Sequence, residues 1–293
     1  MIDVLLPFYG DPDLLLETVG SVLRQTSTSW RLVVVDDGYP DPSVRAWFEA
    51  LDDPRVEYHR NPTNLGANRN YTRALSLARA EHVVVMGADD VMLPTYLRDV
   101  EAALERFPDV AVVETGVEVI DGEGNLVLPL ADRVKRRMTP HVDAPQELSG
   151  EPLLVSLLRG NWTYFPSLTW RRDVISAIGF RSDFHVVQDL GLLVDVLRSG
   201  RSMALSPAVA FRYRRHTGSD SAVKTLSGER FAEERDYFHR IADELGTAGM
   251  DRAARAARQH VTSRLHAAAL VPAAIGARDA SAARGLIRHA VLP

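Results

Sequence analysis

Apolar residues in the first hundred positions follow two rhythms. Val4-Leu5-Leu6, Leu32 to Val35 and Val83 to Met86 are short runs, mostly β-branched, that stop at Pro, Asp or Gly. Such runs predict strands buried on both faces, as in a parallel sheet. Between the first two, Asp13 to Gln25 carries Leu14, Leu15, Val19, Val22 and Leu23 at helical spacing. Between the second and third lies a weaker strand at Val56-Glu57-Tyr58, then a helix over Asn68 to Ala80 with Tyr71, Leu75 and Ala78 on one face. Strand and helix in alternation predict a doubly wound α/β sheet, which takes its ligands beyond the carboxyl ends of its strands.

Further along, a helix is predicted after Pro94 to Phe107 and a strand from Val110 to Ile120. Residues 121–150 hold several Pro and Gly and a basic run, Arg133 to Arg137, and read as a loop-rich insertion. Helices and strands alternate again from Glu151 to His216. Phe231 to Leu245 is an amphipathic helix with Phe231, Phe238, Ile241 and Leu245 on one side. From Met250 to Pro293 alanine and arginine dominate in helical phase, with Pro272 expected to break the run. No internal repeat is visible.

Composition narrows the function classes. Of 293 residues, 46% are hydrophobic and 25% charged, which excludes disordered, collagen-like and coiled-coil chains. A net charge of −5 argues against nucleic-acid binding through general electrostatics. There is no cysteine, so disulfides, thiolate zinc sites and a cysteine nucleophile drop out. The longest apolar stretch, Ala267 to Ala277, contains Pro272 and falls short of the ~20 residues of a spanning helix. No basic leader precedes the apolar run at Ile2, so that run is expected to be a buried strand, and the cytoplasm is the default compartment.

The candidate chemistry lies at the strand ends. Asp36-Asp37 closes one strand and Asp89-Asp90 another. Two carboxylate clusters at neighbouring strand ends suit magnesium or manganese, which take oxygen ligands and share them with phosphates. A strand-end Asp also caps turns, and a single pair would be read that way.

Several motifs in order carry a resemblance. Val4-Leu5-Leu6-Pro7-Phe8-Tyr9-Gly10-Asp11, the helix from Leu15 to Thr26, and Val33-Val34-Val35-Asp36-Asp37-Gly38 come first. Asn64-Leu65-Gly66-Ala67-Asn68-Arg69-Asn70, Gly87-Ala88-Asp89-Asp90, Gln188-Asp189-Leu190-Gly191 and Tyr213-Arg214-Arg215-His216 follow. Over residues 2–221 the chain resembles the inverting family 2 glycosyltransferases of the GT-A fold.

The resemblance implies a mostly parallel α/β sheet with a helical C-terminal extension. Residues 1–221 would form the glycosyltransferase domain, with 1–120 holding the nucleotide sugar and 121–221 the acceptor and base. Residues 222–293 would be the extension. Pro7 and Tyr9 would lie against the nucleotide, Asp37 would bind the base, Arg69 the phosphates and Asp89 the ribose. Asp90 and His216 would hold Mn2+ or Mg2+, and Asp189 would be the catalytic base. The implied partners are a nucleoside-diphosphate sugar, with UDP or dTDP favoured, and a hydroxyl-bearing acceptor.

The reaction asks for these groups on its own terms. Charge develops on the diphosphate as its bond to the sugar breaks, and an acceptor hydroxyl needs a base as it attacks. One base and one metal on opposite sides of the sugar imply a single displacement with inversion. Two positions depart from the family pattern: Gly87 replaces the first acid of Asp-x-Asp-Asp, and Gln188 stands where Glu is common. Asp189 also suits the N-cap of a helix running to Ser199, a role that can coexist with the favoured one of base, and Asp183 and Asp195 are the nearest substitute bases. Trp162, in an aromatic-dense segment, is a candidate acceptor contact and also a candidate core residue. A retaining transferase, a nucleotidyltransferase and a non-catalytic nucleotide-sugar binder remain as alternatives. Peripheral membrane contact through the basic run, and a homo-oligomer through the C-terminal helices, are open.

Overall fold

Strands β1 (Ile2–Phe8), β2 (Trp30–Asp36), β3 (Val56–Arg60) and β4 (His82–Val85) form where the β-branched runs predict them. The computed structural model describes residues 1–215, 229–276 and 278–291. The four strands pair in parallel in the order β3-β2-β1-β4. Phe8 sits opposite Asp36 and Leu5 opposite Val85, so the strands finish side by side along one edge. Helices α1 (Pro12–Leu23), α2 (Pro42–Ala50) and α3 (Ala67–Ser76) connect them. Asp11 and Asp41 cap α1 and α2 by accepting from the amides of Asp13 and Ser43, each at 2.8 Å, ahead of a first-turn Pro. The sequence pattern missed α2, a short helix that buries only Val44 and Phe48.

The second half begins with β5 (Val91–Met92), α4 (Tyr96–Arg106) and β6 (Val112–Ile120). Next come α5 (Leu130–Met138), β7 (Gln146–Ser149) and α6 (Gly150–Arg159). A short 3₁₀ turn (Phe165–Ser167) then leads into β8 (Leu168–Arg171), α7 (Arg172–Ile178), α8 (Gln188–Arg198) and β9 (Ser202–Arg214). The sheet continues β4-β8-β6-β9-β5, with β7 on β9. Strand β8 runs antiparallel to both β4 and β6, while β9 runs parallel to β6. This half is therefore mixed, and the direction of β8 has a use. It starts at the edge where β4 ends, so residues 161–167 arrive at the same edge as the acidic loops. Residues 213–215, at the end of β9, arrive there too.

Alternate strand residues feed two cores. Leu5, Val33, Val35, Val83 and Val85 share a core with α3, α6 and α8, whereas Val4, Leu6, Leu32, Val34 and Val84 share one with α1, α2 and α4. The insertion expected to be loop contains α5 and β7, and the basic run lies on α5. At the C-terminal end are α9 (Glu229–Thr247), α10 (Asp251–Gln259), α11 (Val261–Gly276) and α12 (Ala280–Val291). Helix α9 adds Tyr237, Phe238, Ile241 and Leu245 to the first core, and α10 packs there through its alanines. Pro272 lies inside α11 and does not end it. The chain bends instead at His260, whose φ of 27° is rare for a residue with a side chain. Among the described residues no helix is long and apolar enough to cross a membrane.

Candidate active site

The strand edge brings Pro7, Tyr9, Asp37 and the Gly87–Asp90 loop together. The Asp37 amide donates to the Phe8 carbonyl and the Met86 amide to that of Leu5, each at 2.9 Å. Pro7 is half-buried, and Tyr9 is 56% exposed with its ring edge-on to Tyr39 at 5.7 Å. Asp37 is buried and accepts three hydrogen bonds. Leu65 and Gly66 donate backbone N–H at 2.9 Å, and Asn61 donates through Nδ2 at 2.8 Å. Gly66 holds a φ of +84°, which explains the glycine in the Asn64-Leu65-Gly66 motif. One carboxylate thus fixes the turn that launches α3 and presents Arg69, exposed, on that helix's first turn.

The second acidic pair is built differently. Asp90 is buried, and its Oδ1 accepts from the backbone amide of Arg214 at 2.8 Å. Its Oδ2 has no hydrogen-bond partner among the described residues. Burial pushes this carboxyl well above its usual range, and half-buried Asp89 adds to the shift. A Cβ placed on Gly87 would stand 2.6 Å from Asp90 Oδ2 and 2.9 Å from Asp89 Oδ1. Both carboxylates therefore converge on the space that a side chain at 87 would occupy. Hard oxygens aimed at one small space, one of them unpartnered, fit magnesium or manganese. Among the described residues no group of three or more acid or histidine ligands gathers there. His216 lies outside the described residues.

Arg214 holds this loop in place and is not a free cation. Its buried guanidinium donates to the Asp89 carbonyl at 2.7 Å, to Glu17 at 2.6 Å and to the Asp121 and Gly122 carbonyls at 3.2 and 3.0 Å. The Thr18 hydroxyl ties α1 to the Asp90 carbonyl at 2.8 Å.

Facing the acidic loop are residues the sequence did not single out. Helix α5 turns Asp132 and Lys135 inward, three residues apart on one face. Asp132 is clamped by Arg215 at 2.5 and 2.8 Å and accepts from the Tyr164 hydroxyl at 2.8 Å. Lys135 donates to the Thr163 carbonyl at 2.7 Å and lies 4.4 Å from the Tyr164 ring centroid. Burial pulls its ammonium down to about 8, against the pull of Asp189, Asp132 and Glu114. Burial likewise pushes Glu114 up to about 8, so this carboxyl on β6 is largely protonated at neutral pH.

Asp189 is half-buried in the first turn of α8, two residues inside the N-cap position held by Val187. It accepts from the amide of Leu190 at 2.7 Å, its own neighbour, so the expected helix cap is replaced by an in-helix contact. Burial raises its carboxyl, with the Leu190 amide and then Lys135 opposing. Tyr213 links the two sides. Burial pushes its phenol up to about 12, and the carboxylates of Asp90, Asp89 and Asp189 all add to that rise.

The other base candidates are committed elsewhere. Asp183 pairs with Arg240, and Asp195 with Arg181 and Arg198 at 2.6 and 2.8 Å. Trp162 is a correction to the sequence reading. It is 1% exposed in the first core, with its indole N–H on Ser156 at 3.1 Å, and offers no ring face to an acceptor. The aromatic at the cleft is its neighbour Tyr164. Only an acid directly ahead of the basic run, Asp132, signalled in the sequence that α5 has an inward face.

Residues 3–150, about half the chain, match the sequence model described as Glycosyl transferase family 2. The Escherichia coli (strain K12) protein WcaA is 31% identical over 98 residues, 33% of this chain and 35% of that one. The uncharacterized glycosyltransferase YibD of the same organism is 26% identical over 243 residues, 81% of this chain and 68% of its own. The match spans less than half the length of several curated relatives, 14 to 45% in three of them. In fold the chain is similar to S. aureus TarS 1–349, solved in complex with UDP-GlcNAc. The TM-score is 0.69 at 17% identity, over 90% of this chain and 72% of that one.

Proposed function

The chain belongs to glycosyl transferase family 2 and has the GT-A fold, and on that premise we propose that it transfers a sugar, with inversion, from a UDP-sugar to an acceptor hydroxyl. The observation that carries the reading is Tyr213. Asp89, Asp90 and Asp189 all raise its phenol, which supports a reading in which the acidic loop and half-buried Asp189 address one cleft. UDP is favoured over dTDP because the similar TarS chain was solved both with UDP and with UDP-GlcNAc.

Each residue then has a task. Tyr9 stacks at the open edge of the base, and Asp37, oriented by its three donors, accepts the base N–H. Arg69 meets the phosphates and Asp89 the ribose. Asp90, Asp89 and His216 would hold Mg2+ or Mn2+. When bound, such an ion supplies several kcal/mol of charge stabilisation at the diphosphate oxygens. Asp189 takes the proton of the attacking hydroxyl, worth roughly 10²–10⁴ in rate. Burial raises its pKa towards that of its task, and the Lys135 ammonium opposes the rise by favouring the carboxylate. Residues 1–120 serve the donor, 121–221 the acceptor, and 222–293 buttress the second half, in the cytoplasm.

The test is turnover of a panel of UDP-, dTDP- and GDP-sugars with manganese, with product configuration read by NMR. A β-linked product from an α-linked UDP-sugar is expected. Retained configuration, or release of pyrophosphate in place of UDP, overturns the mechanism.

A further inference from the structure

Helix α5 has an outer face that the site does not use. Leu130 is 64% and Val134 41% exposed, and Leu126 and Leu128, just before the helix, are exposed as well. Large apolar side chains exposed in series mark an interaction surface more than scattered ones do. Arg133, Arg136 and Arg137 flank this strip. All three are exposed, and none has an ion-pair or hydrogen-bond partner among the described residues. In a chain of net charge −5, unpaired arginines beside exposed leucines form a local reversal of sign. Several arginines elsewhere in the chain are held in ion pairs, as with Arg31, Arg181, Arg214 and Arg215.

We propose that this strip docks on an anionic lipid bilayer, the leucines entering the headgroup boundary and the three arginines meeting lipid phosphates. Apolar side chains flanked by arginine on one helix face are the composition of an interfacial helix. A soluble acidic protein partner would satisfy the arginines and leave the leucines without a reason to be out. A second copy of this chain, net acidic overall, would satisfy both only through a matched acidic patch. A bilayer supplies charge and hydrocarbon at the same depth. The inner face of the same helix carries Lys135, which interacts with Asp189, so docking brings the lipid surface beside the cleft. On the glycosyltransferase reading, the acceptor hydroxyl is then one borne by a lipid.

The test needs neither donor nor acceptor. The chain is centrifuged with vesicles of phosphatidylcholine alone or with an equal part of phosphatidylglycerol, at low and high salt. Sedimentation with the anionic vesicles only, weakened by salt, is expected. The variant R133E/R136E/R137E should bind them on the order of 100-fold more weakly or worse, three cations each contributing to attraction. L130S/V134S should bind them more weakly at high salt, where screening leaves the apolar part. Both variants should bind UDP with the affinity of the parent, which shows them folded. Equal sedimentation with neutral vesicles, no sedimentation at low salt, or binding untouched by the arginine reversal overturns the proposal. So does a dimer in sedimentation velocity that the same reversal dissolves. A chain that binds vesicles yet transfers no sugar would refute the enzymatic reading and leave the docking intact.

Discussion

Among the cations that oppose the rise of the Asp189 pKa, Lys135 acts more strongly than Arg230, and that pairing makes a sharp prediction. The base works as a carboxylate, so the rate falls as pH drops through its pKa. Lys135→Met removes a group that favours the charged form, so the acid limb of kcat/KM should move to higher pH while UDP affinity stays unchanged. Lys135→Arg should restore the limb. Asp189→Asn should leave donor binding intact and lower kcat by roughly 10²–10⁴. Unaltered turnover in that variant would place the base elsewhere. Gly87 supports a third test. Its missing side chain looked in the sequence like a lost metal ligand, whereas the structure shows two carboxylates filling the space. Gly87→Ala would push a Cβ to 2.6 Å from Asp90 Oδ2, and metal-dependent donor binding should weaken about tenfold or more by isothermal titration. The acids at the strand ends were legible because their neighbours in sequence are strands. Asp132, Lys135, Glu114 and Tyr164 were not, because only folding brings α5, β6 and the segment before β8 together.

Elements differ in how openly their sequences declare them. Strands β1, β2 and β4 are buried on both faces, so their apolar runs are continuous and unmistakable. Helix α5 exposes six of its nine residues, and a basic run with two inward side chains reads as loop. The direction of β8 had no local signal at all. At the C-terminal end, the bend at His260 packs four helices around a pair of buried imidazoles. The His260 and His289 rings lie 5.2 Å apart. His260 Nδ1 faces the Ala257 carbonyl at 3.2 Å, and His289 Nε2 meets the Ser263 hydroxyl at 2.7 Å, which itself donates to Glu234. Those contacts assign the ring protons and leave His260 Nε2 and His289 Nδ1 as buried, unpartnered acceptors. Burial holds both rings below their ordinary value, His289 at about 4. The unfolded chain binds these protons first, so stability is lost as pH falls from about 6.5 towards 4. Melting followed by circular dichroism between pH 7 and 5 should show that fall, and His289→Leu should flatten it.

At the scale of the molecule, donor and metal should act as one ligand. If Asp90 and Asp89 grip an ion shared with the diphosphate, UDP with manganese at a hundred times Kd stabilises the fold by about 2.7 kcal/mol. In a chain of this size that is a rise in Tm of several degrees. UDP with EDTA should give little of it, and Asp90→Asn should give the EDTA result even with manganese present. An equal rise with and without metal would remove the ion from donor binding.

Strand β5, which directly follows the acidic loop, pairs with β9, Val91 with Arg212 and Met92 with Phe211. The two partners are about 120 residues apart along the chain. A ribosome adding 5–20 residues per second therefore leaves the loop without its partner strand for roughly ten seconds of translation. During that interval the acidic loop lacks its contacts to Arg214, which has not yet been made. A message truncated between these points would release a sheet with bare edges, prey to aggregation and proteolysis, and no cell could salvage half an enzyme from it.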